Sequence, residues 1–346
     1  MGNKASTSET MLAVVRESGE LRFKDDYIKP PSNQLDPNQV LLKVLAAGIN
    51  PADYKAPKFI IGPVVGLDVC GVVEAAGSAS PFPIGSRVYG TARGTLANYV
   101  VCKHTSLGLV PDHLSNEQAA AIPTTYLTSI QALRDHGNMP NEGGRVLIIG
   151  ASGGCGLAAV QLASRMKASS VVGVCSGKNE QVVMNNGATK VINYKIENFW
   201  DETQKYDVVY DCASGSGGGE DYKGHALTVL ENQKGVPHGQ YVAINGGGVM
   251  WFKMFTCGQS KNQHLFLTDA NTKDLNIISK MIKEDGMLPV LQQVSIFNSK
   301  NVNDGFQLLK SRRAVGKIVF KMGDIDTNNG GGRGEKKSTE QEEVEE

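Results

Sequence analysis

The sequence predicts an α/β protein in which a doubly wound parallel sheet is joined to a smaller, mainly β unit. Residues 11 to about 100 alternate short apolar runs with turns rich in Gly, Pro and Asn, as in LAVVRE, QVLLKVLAAG and GLDVCGVVEAAG. From about Ala119 onward, apolar strands alternate with helical patterns, which is typical of βαβ units. A chain of 346 residues is long enough for two domains.

Six strands suit the parallel sheet, and a helical pattern fills most of the gaps between them. They are expected at Arg145 to Ala151, Ser170 to Ser176, Lys190 to Tyr194, Asp207 to Ala213, Gln240 to Gly246 and His264 to Thr268. After them come a helix, a strand, a second helix and the apolar strand GKIVF, which we expect to rejoin the first unit. The predicted division is a flexible start at 1–10, a β unit at 11–125, the parallel sheet at 126–268, a return segment at 269–322 and a disordered acidic tail at 323–346.

Composition excludes several function classes. Lys and Arg together number 35, as do Asp and Glu, so the net charge is zero and favours neither nucleic acid nor an anionic membrane. No run of 18 apolar residues occurs. Six irregularly spaced cysteines fit neither a disulfide scaffold nor a metal knuckle, which favours a reduced, cytoplasmic location.

The first residues, MGNKAS, match the acceptor pattern for N-myristoylation at Gly2. A single acyl chain without a polybasic patch would give only reversible, peripheral membrane association. An ordinary disordered start is the alternative interpretation.

The most specific local motif is GASGGCG, which follows a continuous apolar strand and precedes an amphipathic helix. Glycines in this context permit a tight turn and let backbone amides at a helix N-terminus bind a pyrophosphate. The motif departs from strict GxGxxG, and a plain glycine-rich turn is the alternative. Cofactor-binding candidates in it are Gly150, Ser152, Gly153, Gly154, Cys155 and Gly156. At the start of this helix the Cys155 thiolate is expected to be stabilised, so that oxidation there would block the cofactor.

The end of the second strand indicates which dinucleotide binds. NAD sites usually place an acidic side chain there, whereas this chain has Ser176 and Lys178 and no acid before Glu180. A hydroxyl and an ammonium would bind the 2′-phosphate that a carboxylate would repel. The sequence therefore predicts NADPH.

Several motifs in order, AAGINPADYK, GLDVCGVVEAAG, IGSRVYG, VLIIGASGGCG, NNGATKVINY, YDVVYDCAS and GKIVF, resemble the medium-chain dehydrogenase/reductase superfamily over residues 11 to 322. Within it the chain most resembles the zinc-independent quinone oxidoreductase-like branch, including its alkenal- and enone-reducing relatives. The resemblance implies a Rossmann domain, a GroES-like substrate domain, a cleft between them and a homodimer.

The resemblance also implies that no metal is bound. Zinc-using members have Cys where Asn50 stands and His where Leu67 stands, and the four-cysteine lobe is absent. The catalytic residues that it implies are Asn50 and Lys55, the latter to stabilise a developing enolate. It places Thr128 near the pyrophosphate or nicotinamide, and Ser176, Lys178 and Tyr194 around the adenosine 2′-phosphate. The segment with Met250, Trp251 and Phe252 resembles a pocket lining, and packing at an interface is the alternative.

The predicted reaction is hydride transfer from NADPH to an α,β-unsaturated ketone or aldehyde. Quinone reduction on the same fold is one alternative. A membrane-tethered NADPH-binding redox sensor with little catalysis is another, from a different functional class. A shortened segment at 55–65 and an expanded one at 214–225 leave the acceptor open.

Overall fold

The fold was analysed in a computed structural model that describes residues 9–215, 221–233, 236–246, 254–256 and 260–323. Gly2, the pocket candidates at 250–252 and the tail beyond Gly323 lie outside the described residues. The segment 214–225 is described in part.

The described strands and helices follow the predicted order. The strands are β1 (Thr10–Glu17), β2 (Glu20–Ile28), β3 (Gln39–Ile49), β4 (Asp68–Ala76), β5 (Arg87–Thr91), β6 (Tyr99–Lys103), β7 (Leu107–Leu109), β8 (Arg145–Ile149), β9 (Ser170–Cys175), β10 (Lys190–Asn193), β11 (Val208–Asp211), β12 (Asn232–Gln233), β13 (Val236–Pro237), β14 (Gln240–Ala243), β15 (Gln263–Leu265), β16 (Leu291–Ile296) and β17 (Lys317–Lys321). The helices are α1 (Pro51–Lys55), α2 (Lys58–Ile61), α3 (Asn116–Ala121), α4 (Pro123–Gln131), α5 (Gly154–Arg165), α6 (Glu180–Asn185), α7 (Lys223–Thr228), α8 (Thr272–Asp285) and α9 (Ser299–Lys310).

Six parallel strands form one sheet in the order β10-β9-β8-β11-β14-β15. The chain starts at β8, runs outward to β10, and then returns to add β11 on the other side, which is the doubly wound order of a dinucleotide-binding sheet. Along β8 the side chains alternate between two cores: Val146 and Ile148 pack on one face, Leu147 and Ile149 on the other. The predicted parallel sheet is confirmed.

A second, mainly antiparallel sheet has the order β16-β17-β3-β4-β5-β7, with β6 also paired to β3. Its C-terminal strand β17 pairs antiparallel with β3, Ile318 opposite Ile49 and Val319 opposite Gly48. The last strand therefore does rejoin the first unit, as expected from GKIVF. The exact domain boundaries stay a prediction.

The two sheets meet where the loop after β8 touches the start of β17. Gly153 and Gly316 form a β-bridge, and the Gly316 amide donates to the Ser152 carbonyl over 3.1 Å. The glycine-rich loop and the last strand of the β unit are thus in direct contact. Within the described residues, no helix is both long enough and apolar enough to cross a membrane.

Candidate active site

The glycine-rich loop leaves β8 in a conformation that side chains would obstruct. Gly150 has φ +81°, in the region that favours glycine. A Cβ on Gly156 would overlap the Gly150 carbonyl oxygen and the Ala151 backbone. Gly153, at φ −77°, is the N-cap of α5, and no side chain caps this helix. The first-turn amides of α5 therefore stay available to an anionic ligand, and this cradle fits a dinucleotide pyrophosphate.

Residues around this loop hold it in place. The Ser152 hydroxyl accepts a hydrogen bond from the Asn179 side-chain amide at 3.0 Å, and Ser129 donates to the Cys155 carbonyl at 2.8 Å. Thr128 is buried, and its hydroxyl lies 2.5 Å from the Thr124 carbonyl and 2.6 Å from the Thr268 hydroxyl. Thr128 thus ties α4 to the chain beyond β15, so part of its hydrogen-bonding capacity is already used.

The predicted 2′-phosphate residues lie together at the carboxyl ends of β9 and β10. Cys175 and Asn193 are register partners, so Ser176 and Tyr194 follow directly on neighbouring strands. Ser176 is buried, Lys178 is exposed, and the Tyr194 side chain is 53% exposed. The Lys178 ammonium, the Ser176 hydroxyl and the exposed Tyr194 ring at this edge fit an adenosine phosphate. Sequence reasoning missed Asn193, which no motif marked as a site residue. Its side-chain amide packs so closely on Gly177 that a Cβ on Gly177 would lie 2.6 Å from the amide nitrogen.

Asn50 lies in a buried polar network next to this loop. It is the N-cap of α1, and its side chain meets Asp68 at the start of β4 and Lys317 at the start of β17. The Lys317 ammonium donates to the Asp68 carboxylate at 2.7 Å, to Asn50 Oδ1 at 2.8 Å and to the Ile49 carbonyl at 3.0 Å. Sequence reasoning missed Lys317, because a lysine opening the apolar strand GKIVF reads as a solvent-facing residue.

Lys55, the other predicted catalytic residue, ends α1 and is exposed. Its ammonium lies 5.8 Å from the centre of the Tyr54 ring. Desolvation and the nearby Arg312 cation lower the pKa of Lys55. Arg312 also donates to the Ala213 carbonyl at 2.8 Å, just beyond β11. Arg312 thereby links the neighbourhood of Lys55 to the carboxyl end of the parallel sheet.

Comparison with known proteins agrees with this arrangement. Residues 36–112 match the family model described as alcohol dehydrogenase GroES-like domain, and residues 186–320 match zinc-binding dehydrogenase. The chain is 28% identical to 2-methylene-furan-3-one reductase of Solanum lycopersicum, over 91% of this chain and 82% of that protein. It is 29% identical to the chloroplastic NADPH-dependent alkenal/one oxidoreductase of Arabidopsis thaliana, over 85% and 76%. The quinone oxidoreductase structure from Coxiella burnetii aligns over 90% of this chain and 99% of its own, with a TM-score of 0.77 and 26% identity.

The chain belongs to the medium-chain dehydrogenase/reductase superfamily. Its place is in the zinc-independent quinone oxidoreductase-like branch. Members of this superfamily use a nicotinamide cofactor, and the glycine loop after β8 and the edge formed by β9 and β10 are the parts of this chain that fit one.

A zinc ion does not fit the position of Asn50. Asn50 offers a carboxamide, and its oxygen is already bonded to the Lys317 ammonium, whose charge would repel a metal cation. In the described residues, no group of three or more His, Cys, Asp or Glu side chains is arranged to hold a metal.

Beneath Asn50 lies a buried carboxyl, Asp53, which the sequence did not single out. One oxygen of Asp53 accepts the Asn50 backbone amide at 2.7 Å, while its other oxygen is buried without a partner. Burial, more than the nearby Asp68 charge, raises the pKa of Asp53 to about 7. Asp53 therefore keeps its proton to a higher pH than an exposed carboxyl does, and its hydrogen bond with the Asn50 amide supports the start of α1.

The expected activation of Cys155 is wrong. Its thiol packs against the core beneath α5, and burial raises the pKa of Cys155 to about 11. Desolvation of the thiolate outweighs the Lys317 charge and the hydrogen bond with Tyr210, both of which lower the pKa of Cys155. The Cys155 backbone can still belong to the pyrophosphate cradle, whereas the raised pKa disfavours the thiolate form of its sulfur.

Proposed function

We propose that this oxidoreductase reduces the carbon–carbon double bond of an α,β-unsaturated ketone or aldehyde with NADPH. The observation that carries the proposal is the Asn50 carboxamide, which lies beside the glycine-rich loop and is held by hydrogen bonds to Asp68 and Lys317. An acceptor carbonyl at such a site is polarised by hydrogen bonds. The names of two relatives, 2-methylene-furan-3-one reductase and NADPH-dependent alkenal/one oxidoreductase, support this acceptor class.

The choice of NADPH rests on the edge formed by β9 and β10. Ser176, Lys178 and Tyr194 would hold the adenosine 2′-phosphate, and no acidic side chain lies between Cys175 and Glu180 to repel it. The amides at 153–156 would hold the pyrophosphate, with Thr128 beside it.

The protein's own contribution is to bind and orient the cofactor and the acceptor and to stabilise the charge that develops during hydride transfer. NADPH, when bound, supplies the hydride that adds to the β-carbon of the acceptor. Hydride addition moves negative charge onto the carbonyl oxygen, and a cation or N–H donor fixed near that oxygen lowers the barrier. Lys55 supplies the cation, and Asn50 supplies a fixed amide. The α-carbon then takes a proton from water or from Lys55.

Quinone reduction is the second candidate, favoured by the similarity to the Coxiella burnetii quinone oxidoreductase. It uses the same cofactor, cleft and charge stabilisation. Reversible membrane association through Gly2 and a homodimer also stay proposals.

The test is oxidation of NADPH, followed at 340 nm, by purified protein with matched enones, alkenals and quinones and without added metal. The proposal expects turnover of enones, and turnover of quinones alone would move the function to the second candidate. Tight NADPH binding with no turnover of any acceptor would favour the redox-sensor alternative.

A further inference from the structure

We propose that Lys317 and Asp68 are positioning residues of the reaction, which hold the Asn50 carboxamide in one orientation and polarise it. The amide hydrogen that these two residues leave unused would then be the donor to the acceptor's carbonyl oxygen. This inference rests on the proposed function and adds residues that neither the sequence motifs nor the catalytic assignment of Asn50 and Lys55 includes.

The hydrogen-bond inventory of the network fixes the orientation of Asn50. An ammonium can only donate, so Lys317 must face the amide oxygen, and a carboxylate can only accept, so Asp68 must face the amide nitrogen. A flipped amide would place a donor against a donor and an acceptor against an acceptor. Because the side chains of all three residues are at most 5% exposed, water cannot relieve such a mismatch.

The other polar atoms of Lys317 and Asp68 also have hydrogen-bond partners within the protein. Lys317 has three N–H donors and three acceptors, at 2.7, 2.8 and 3.0 Å. Asp68 uses its second oxygen to accept from the Thr124 amide at 2.8 Å and the Thr124 hydroxyl at 2.5 Å. Of the two N–H bonds of the Asn50 amide, one goes to Asp68 at 2.9 Å. The second N–H has no acceptor among these contacts, and the proposal assigns it to the carbonyl oxygen of the acceptor.

Two glycines make room for the Lys317 stem. A Cβ on Gly48 would lie 3.3 Å from Lys317 Cε, and one on Gly154 would lie 3.3 Å from Lys317 Cδ. The stem thus passes between β3 and the first residue of α5. Because Gly316 is bonded to the Ser152 carbonyl, one short segment sets the cofactor loop and the Asn50 amide relative to each other.

The chemical consequence is a stronger donor where negative charge develops. The Lys317 charge on Asn50 Oδ1 draws electrons from the amide, which makes its N–H a better hydrogen-bond donor. The hydride brings two electrons to the β-carbon, the π electrons move to the carbonyl oxygen, and a proton later reaches the α-carbon. Asn50 loses no proton, so its hydrogen bond strengthens only as the enolate forms.

The test compares Lys317→Met with the double variant Asp68→Asn/Lys317→Met, and Lys321→Met on the same strand is the control because Lys321 is exposed. Lys317→Met leaves a buried unpaired carboxylate and is expected to lower the melting temperature. The neutral double variant should recover much of the lost melting temperature. Its kcat should nevertheless stay about 100-fold below that of wild type, while its Kd for NADPH stays within about threefold of the wild-type value. A double variant with wild-type kcat would show a purely structural role and overturn the proposal.

A second readout does not depend on the acceptor. In a lysine ¹⁵Nζ–¹H spectrum, a buried ammonium with three hydrogen bonds should give a slowly exchanging NH₃⁺ signal. The signal should vanish in Lys317→Met, persist in Lys321→Met and move in Asn50→Ala. Absence of such a signal would refute the network, whereas a wild-type protein that turns over no enone or quinone would refute the proposed function instead.

Discussion

Replacing Gly153 by Ala tests whether the loop after β8 is a cofactor-binding cradle or an ordinary glycine-rich turn. A Cβ at 153 would meet only the Gly150 carbonyl oxygen, at 3.5 Å, and φ is −77°, so the backbone accepts alanine. Alanine is a poorer N-cap than glycine, but it also restricts the unfolded chain, and these effects of about 0.5–1 kcal/mol oppose each other. We therefore expect the free energy of unfolding to change by less than about 1 kcal/mol.

Binding should respond far more strongly than stability. The added methyl group would project where a phosphate must approach the amides, and loss of one charged hydrogen bond costs about 1.5–3 kcal/mol, or roughly 10- to 150-fold in Kd. Fluorescence titration with NADPH measures this change, and chemical denaturation measures stability. Gly224→Ala is the control, since a Cβ in α7 there has no neighbour within 4 Å. Wild-type NADPH affinity in a folded Gly153→Ala protein would refute the assignment of this loop.

Three further predictions follow from the charges of individual side chains. Lys178→Ala should weaken NADPH about 5- to 30-fold at low salt and leave NADH unchanged, and equal loss for both cofactors would contradict the 2′-phosphate assignment. Asp53 has a folded pKa of about 7 against an ordinary 3.8, so the folded state binds the extra proton, and stability should fall as pH rises from about 4 to 7. In denaturation curves, the free energy of unfolding of Asp53→Asn should fall by up to about 4 kcal/mol less than that of wild type over this pH range. Identical pH profiles for the two proteins would refute the raised pKa. With a pKa of about 11, Cys155 should resist iodoacetamide at pH 8 and a mild oxidant should affect Cys155→Ser and wild type equally; faster inhibition of the wild type would restore the reactive thiolate.

Local patterns were enough to predict the sheet and the position of the glycine-rich loop. Apolar β8 followed by GASGGCG and an amphipathic helix is a contiguous signal, and the observed sheet order follows from repeated βαβ units. The positions of Ser176 and Tyr194 at one edge could be anticipated, because parallel strands end on the same side. Their contacts with NADPH stay a prediction.

What the sequence could not show depends on residues far apart in the chain. Lys317 reaches Asp68 only because β17 pairs with β3, which itself pairs with β4, and because Gly48 and Gly154 leave space for its stem. Nothing in GKIVF marks that lysine as buried. The prediction of a stabilised Cys155 thiolate failed for a similar reason. The position of Cys155 at the start of a helix was predicted correctly, but the desolvation that raises its pKa comes from the core on which that helix packs.

The measurement that tests the central claim most directly is steady-state oxidation of NADPH and, separately, of NADH by the purified protein with an enone, without metal and with chelator present. The account predicts turnover of the enone with NADPH, a much lower kcat/KM with NADH, and no effect of the chelator. Turnover that requires added zinc, or that is equally fast with both cofactors, would contradict it.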